Sequence, residues 1–361
     1  MKRIVTLFLV LCMLFALCAC GAEEKTETAA EVSVTEGGEE KTESSSEEKV
    51  EPRKLTVVNG YGLTDVGSLT LAAFCDYVEE NTNGEITFDR YFGGTMCALP
   101  EEFALVSSGA ADVCVLLQDF VIADMPLCNI PGSTIDDQMG GINYWRYIMF
   151  ENEETAALIE AEATEHNVKF VDVQSGGIGS YVCTQEFHSW ADLSNLKFGA
   201  VRNANIYEGL GLNVVTAETT DAYDCLSRGV YDANGMGLGS IVASKWYEVA
   251  PYCMSCAGYS ACNYLTVNLD VWNSLTAEQQ QVFKDAAALA AEMSVELNDE
   301  VVETAAEYFD EFGWFSEEDS LAYNRLQFES IAATDREFAA AKGIEDQFDI
   351  IYDACMEYLG Y

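Results

Sequence analysis

The chain has 361 residues, 49% of them hydrophobic, and sets 61 Asp and Glu against 18 Lys and Arg for a formal net charge of −43. The length is ample for two lobes, since one core of ordinary size holds about 100–200 residues. The charge repels phosphate backbones, which sets nucleic acid aside as a partner, and it opposes adhesion to an anionic surface.

Lys2 and Arg3 precede an almost wholly apolar run, 4–15, closed by Leu17, Cys18, Ala19, Cys20 and Gly21. This is the pattern of a secretory signal over 1–20; about 17 apolar residues is marginal for a membrane span. It also resembles a bacterial lipoprotein signal, which implies lipidation of Cys20 after cleavage. Residues 21–53 carry 11 Glu, 3 Lys and 1 Arg and few large apolar side chains. They cannot bury a core and read as a disordered tether reaching roughly 30 Å. With two positive charges in 1–20, this leaves −38 on the remainder, so the acidity belongs to the folded part.

From there the pattern alternates. Residues 55–59, 85–92 and 112–117 read as strands, with helices at 68–80 and 100–107 between them. Met125-Pro126-Leu127 steps out of this unit, and 136–165 reads as helices carrying Trp145, Tyr147, Met149, Leu158 and Ile159. Residues 168–173 form a strand, and the glycine-rich run 176–180 suits a crossover between lobes. A second unit follows, with strands at 196–201, 213–216 and 230–235. Its helices are expected at 206–210 and from a cap at 219–221 to Gly229. The units echo each other: Phe103, Ser107, Gly109 and Asp112 recur as Tyr223, Ser227, Gly229 and Asp232. Two such α/β units imply two lobes with ligand at the carboxyl ends of parallel strands.

After a short helix at 244–250, a strand at 263–269 can return to the first lobe, and two crossings make a hinge. Thr276 and Gln279 form a capping box. The helix it starts is expected to run to about Phe312, because Val282, Ala286, Leu289, Met293, Leu297, Val301, Ala305 and Tyr308 recur at helical spacing. At 1.5 Å per residue it would span roughly 54 Å and brace both lobes. Helices near 317–342 and 345–358 close the chain.

Ten cysteines remain beyond Cys12, Cys18 and Cys20. Cys75, Cys114, Cys225 and Cys355 sit among apolar residues, as small hydrophobes do. Cys253 and Cys256, with Cys262 nearby, invite a metal or redox reading, but only two histidines are present and no second pair stands at zinc spacing. No metal or cofactor is expected. Phosphate-loop, dinucleotide, nucleophile-elbow and zinc-protease motifs are absent, so the sequence points to binding rather than catalysis.

The ordered set of segments 74–86, 101–113, 125–127, 189–198, 223–235, 245–252 and 271–280 resembles the extracytoplasmic solute-binding proteins of tripartite ATP-independent periplasmic (TRAP) transporters. The resemblance covers nearly all of 54–361. It implies an α/β, two-lobed, periplasmic-binding-protein-like fold with a long helix spanning both lobes, and a cleft that closes over a small solute, usually an organic acid. The expected layout is lobe I at 54–177, lobe II at 178–263, a return strand and bracing helix at 264–312, and C-terminal helices on lobe II at 313–361. The implied partners are the solute, a TRAP-type permease and, through lipid, the membrane; the receptor itself is expected to be monomeric. In the family, an arginine after the Ala-Asp-Leu turn pairs with the ligand's carboxylate, and here that position is Gly199. Gly199 is expected to leave open space there, and Arg202 follows three residues later as the candidate anchor. Tyr61, Tyr91, Trp246 and Asn234 are candidate cleft walls by position. The competing reading is a ligand sensor or surface interaction protein that keeps the fold without a transporter.

Overall fold

The computed structural model describes residues 52–129, 142–200, 204–216 and 221–360, with backbone alone at 119 and 259–261. The expected signal, Cys20 and nearly all of the tether lie outside the described residues, as does Arg202.

The first unit comprises β1 (Arg53–Val58), α1 (Val66–Asn81), β2 (Ile86–Tyr91), α2 (Glu102–Ser108) and β3 (Val113–Leu117), with β1 pairing in parallel to both β2 and β3. Then α3 (Ile142–Arg146) and α4 (Glu153–Glu165) lead into β4 (Val168–Cys183). The second unit comprises α5 (Trp190–Leu193), β5 (Lys197–Ala200), α6 (Ala204–Gly209), β6 (Asn213–Thr216), α7 (Ala222–Ser227) and β7 (Ala233–Gly237), with β5 parallel to β6 and β7. The chain ends in α8 (Leu238–Ala243), β8 (Tyr252–Asn268), α9 (Leu269–Ser274), α10 (Ala277–Thr304), β9 (Glu311–Trp314), α11 (Glu317–Lys342) and α12 (Glu345–Leu359).

The nine strands of the described residues join one sheet in the order β2-β1-β3-β8-β4-β7-β5-β6, with β9 on the lobe II end of β8. The order is the same from either edge, the structural form of the internal echo. Gly109 and Gly229 both take left-handed backbone, φ +75° and +68°, to turn from helix to strand. The aspartates that follow do the same work. The Asp112 N–H donates to the Thr56 carbonyl at 2.8 Å and its carboxylate accepts the Thr56 N–H at 2.6 Å; Asp232 and Lys197 repeat this at 2.8 and 2.9 Å. The echo therefore encodes strand alignment.

Strands β4 and β8 run antiparallel through both halves. Their register shifts between Phe170/Asp172, Ser175/Ile178 and Ile178/Ser180, the last two making the glycine-rich run a bulge inside one long strand rather than a loop. Gly177 sits there at φ +84°, and a β-carbon on it would lie 2.5 Å from Asn298 Oδ1 of α10. The bulge is thus pressed against the long helix.

Two corrections concern the C-terminal third. Helix α10 ends at Thr304 rather than near Phe312, about 42 Å long, and Phe312 lies in β9. Its capping box is present as expected. Its buried face is Phe283, Ala286, Ala287, Ala290, Ala291, Ser294 and Asn298, whereas Leu289 is 42% exposed. The helix turns its small residues inward because it crosses close to the sheet, and the larger ones mislead a count of apolar spacing. Second, α12 packs on lobe I: Phe348, Ile351 and Cys355 share a core with Tyr144, Ile148 and Ile159. Helix α11 makes this possible, passing from Tyr323 in the lobe II core to Phe328, Ala332 and Ala339 in the lobe I core. Together β4, β8, α10 and α11 cross between the lobes.

Candidate functional site

At the lobe I end of the crossing strands lies a connected set of uncharged polar side chains. Asn59, directly after β1, is fully buried; its Oδ1 accepts the Tyr61 N–H at 2.7 Å and the Ser68 hydroxyl at 3.4 Å. The Thr70 hydroxyl donates to Gln174 Oε1 at 2.7 Å, and Gln174 is paired in register with Asn263. The Tyr61 hydroxyl donates to Asn263 Oδ1 at 3.2 Å, closing the set. Tyr61 is therefore part of this buried polar set. Tyr91 ends β2 beside it, 42% exposed, with its carbonyl accepting the Asn59 N–H. The sequence reading named the two tyrosines and did not name Asn59, Gln174 and Asn263, whose signal is a carboxamide inside or just after an otherwise apolar strand.

Behind the turn, Glu102 is fully buried, and its Oε1 accepts the Gly60 N–H at 2.6 Å. Burial pushes its pKa up to about 8, so it is mostly neutral at pH 7. Asp65 caps α1 by accepting the Gly67 N–H, and it also accepts the Ser240 hydroxyl of α8 at 2.8 Å. This is a direct bond between the lobes. Burial holds the Asp65 carboxyl above its ordinary range.

On lobe II the candidates fare differently. Trp246 is 2% exposed within the core beside Ile241 and Leu238, so it packs the lobe rather than walling the cleft. Asn234 is also buried; its Nδ2 donates to the Tyr231 hydroxyl at 2.9 Å and its Oδ1 accepts the Gly235 N–H at 2.7 Å. Both ends of that carboxamide are occupied. The expected open space at Gly199 is filled: a β-carbon there would stand 2.7 Å from the ring of Tyr231, which is fully buried. Burial raises the Tyr231 phenol to about 12.

Five of the six described arginines have partners. Arg90 pairs with Asp76 and Glu79, Arg146 with Asp172, Arg228 with Asp224 and Arg336 with Asp349; Arg53 bonds Ser274, and Arg325 lies exposed on α11. Cys253 and Cys256 are both buried but belong to different cores on opposite faces of the sheet, so they do not form a pair. Among the described residues, one group has metal-ligand spacing, Glu186, His188 and Glu311. It is surface-exposed, and each His188 ring nitrogen faces one of the carboxylates.

The profile of the bacterial extracellular solute-binding proteins, family 7 (DctP), matches residues 63–318, well over half of the chain. The chain belongs to this family. DctP proteins are binding receptors, not enzymes, and the match agrees with the TRAP-type resemblance read from the sequence. A solute-binding protein of Sulfitobacter sp. strain NAS-14.1 is 24% identical over 253 residues, 67% of this chain and 74% of that protein. Among solved structures, a TRAP periplasmic solute-binding protein from Desulfovibrio salexigens with bound orotic acid has TM-score 0.69 at 16% identity, covering 84% of this chain and 99% of that one. One from Sulfitobacter sp. NAS-14.1 with bound β-D-galacturonate has TM-score 0.66 at 17% identity, covering 83% and 100%. DctP7 of Bordetella pertussis, a receptor binding pyroglutamic acid, has TM-score 0.67 at 17% identity, covering 83% and 99%. These likenesses establish the DctP fold over the two lobes.

Proposed function

We propose that this DctP-family receptor captures an organic acid between its lobes, with Arg202 as the carboxylate contact, and hands it to a TRAP-type permease while tethered to the membrane through a lipid on Cys20. The observation that carries the reading is the continuous sheet, in which β4 and β8 lose register over Ser175–Ser180 between two similar three-stranded halves. Each half carries parallel strands, and ligands of α/β folds bind at the carboxyl ends of such strands, which supports a site between the halves. Arg202 follows β5 by two residues, and five of the six described arginines are bonded or paired elsewhere, with Arg325 exposed on α11. A planar guanidinium suits a carboxylate, and the known ligands of similar structures, orotic acid, galacturonate and pyroglutamic acid, are acids.

Mass spectrometry of small molecules released from gently purified, then denatured, protein identifies the solute. Calorimetry of Arg202→Ala with that solute is expected to show a loss of about 1.5–3 kcal/mol, roughly 10- to 150-fold in affinity. Affinity within about twofold of the parent rejects Arg202, and a solute without an acidic group rejects the acid reading. For the anchor, Cys20→Ser is expected to move the protein from the detergent phase to the aqueous phase in cell extracts.

A further inference from the structure

We propose that Asn59 and Gln174 are the specificity-determining donors of lobe I, and that they select a solute presenting uncharged acceptor oxygens, hydroxyl or carbonyl, at the end away from its carboxylate. The inference rests on the organic-acid reading and extends it to the other half of the ligand.

Among the described residues, the buried side-chain nitrogens with no hydrogen-bond partner are Asn59 Nδ2 and Gln174 Nε2. Their side chains belong to residues 0% and 1% exposed. Both fall in the single polar set that also holds Tyr61, Ser68, Thr70 and Asn263. The Asn59 amide can be oriented only one way, because its Oδ1 accepts a backbone N–H from Tyr61. Its Nδ2 is then a donor held in place with nothing to give to. A buried N–H in that condition destabilises a fold unless something else supplies the acceptor, and here the free donors lie at the carboxyl end of β1 and one residue before the hinge bulge.

The acceptor this surface suits is neutral. No described arginine or lysine belongs to the set, and the N-terminus of α1, which would otherwise attract an anion, is already capped by the Asp65 carboxylate. A second carboxylate would lose its hydration beside Asp65 without a countercharge, whereas a hydroxyl or carbonyl oxygen accepts from the two carboxamides at little electrostatic cost.

Asn59→Asp and Gln174→Glu test this directly, since each keeps the oxygen that serves Tyr61 or Thr70 and replaces only the free donor. The probes are galacturonate, galactonate, pyroglutamate and orotate, with hexanoate as an acid lacking further oxygens. Melting curves confirm folding, and Asn59→Ala and Gln174→Ala provide uncharged versions. At least one oxygenated acid is expected to bind the parent more than 10-fold tighter than hexanoate, and each variant is expected to weaken it about 10-fold or more. Undiminished binding in the variants, or hexanoate binding as tightly as the oxygenated acids, overturns the proposal while leaving the organic-acid reading in place. A parent that binds no acid and carries no co-purified acid overturns both.

Discussion

Gly199→Ala is a sensitive probe of lobe II packing because two effects act on it in opposite directions. Gly199 has no positive φ, so alanine suits its backbone and, in open space, would stabilise the protein by about 0.4–1 kcal/mol through the unfolded chain. The structure instead puts the new β-carbon 2.7–2.8 Å from three ring atoms of Tyr231, against 3.4–4 Å for ordinary contact. The ring would have to retreat by about 0.7 Å while fully buried and bonded to Asn234. Overpacking of this kind costs about 1–3 kcal/mol, so the net expectation is a loss of about 1–2 kcal/mol. Urea unfolding followed by tryptophan fluorescence should show a lower midpoint with an unchanged slope. In a Tyr231→Leu background the same substitution should cost much less, giving a coupling that identifies the ring as the cause. A midpoint at or above that of the parent would refute the reasoning and restore the open-space expectation.

Three further outcomes follow from the same geometry. Ser240→Ala removes the direct bond to Asp65, and solute dissociation measured by stopped flow is expected to quicken about 10-fold; an unchanged rate would show that the bond does not favour the closed state. Glu102 and Glu162 are raised by burial to about 8 and about 7, so the folded state holds protons that the unfolded chain has released. Their contribution is complete below the ordinary carboxylate pKa and declines by about 1.4 kcal/mol per pH unit per group as pH rises toward those values. Glu102→Gln should flatten the decline between pH 5 and 8 in denaturant midpoints, and an identical slope in the variant would contradict the assignment. Cys253 and Cys256 should stay unlinked after mild oxidation of the native protein, because they face opposite sides of the sheet; a peptide pair joined by disulfide would count against that placement.

Strand and helix order was legible because glycine, aspartate and apolar period agree at each junction, as at Gly109–Asp112 and Gly229–Asp232. The continuity of β4 was not, since Gly176 and Gly177 read as a break when the partner strand that supports the bulge is unknown. The same blindness to partners explains α10. Leu289 and Met293 outweigh alanine in any apolar count, yet close approach to the sheet favours Ala286, Ala287 and Ala290. Tyr61 and Tyr91 were named from their positions at strand ends, and both bond to Asn59 there. Trp246 did not belong, because position along the chain says which end of a strand is near and not which face a side chain takes. Asn59 and Gln174 carry only the weak signal of a carboxamide in or after an apolar strand; their burial and unpartnered nitrogens set them apart.

The ladder formed by β4 and β8 has a mechanical consequence. Hydrogen bonds along both arms make each arm stiff in the sheet plane, while the irregular stretch between Ser175 and Ser180 is the compliant link, and α10 lies alongside it as a rail. Displacement of one half-sheet against the other is therefore expected to be dominated by a swing about that link, the shift at Phe170/Asp172 lying within lobe I. One pair of fluorescent dyes, placed at exposed Leu63 and Val230 on opposite lobes, would then read out the whole excursion, and its distance distribution should be describable by one coordinate.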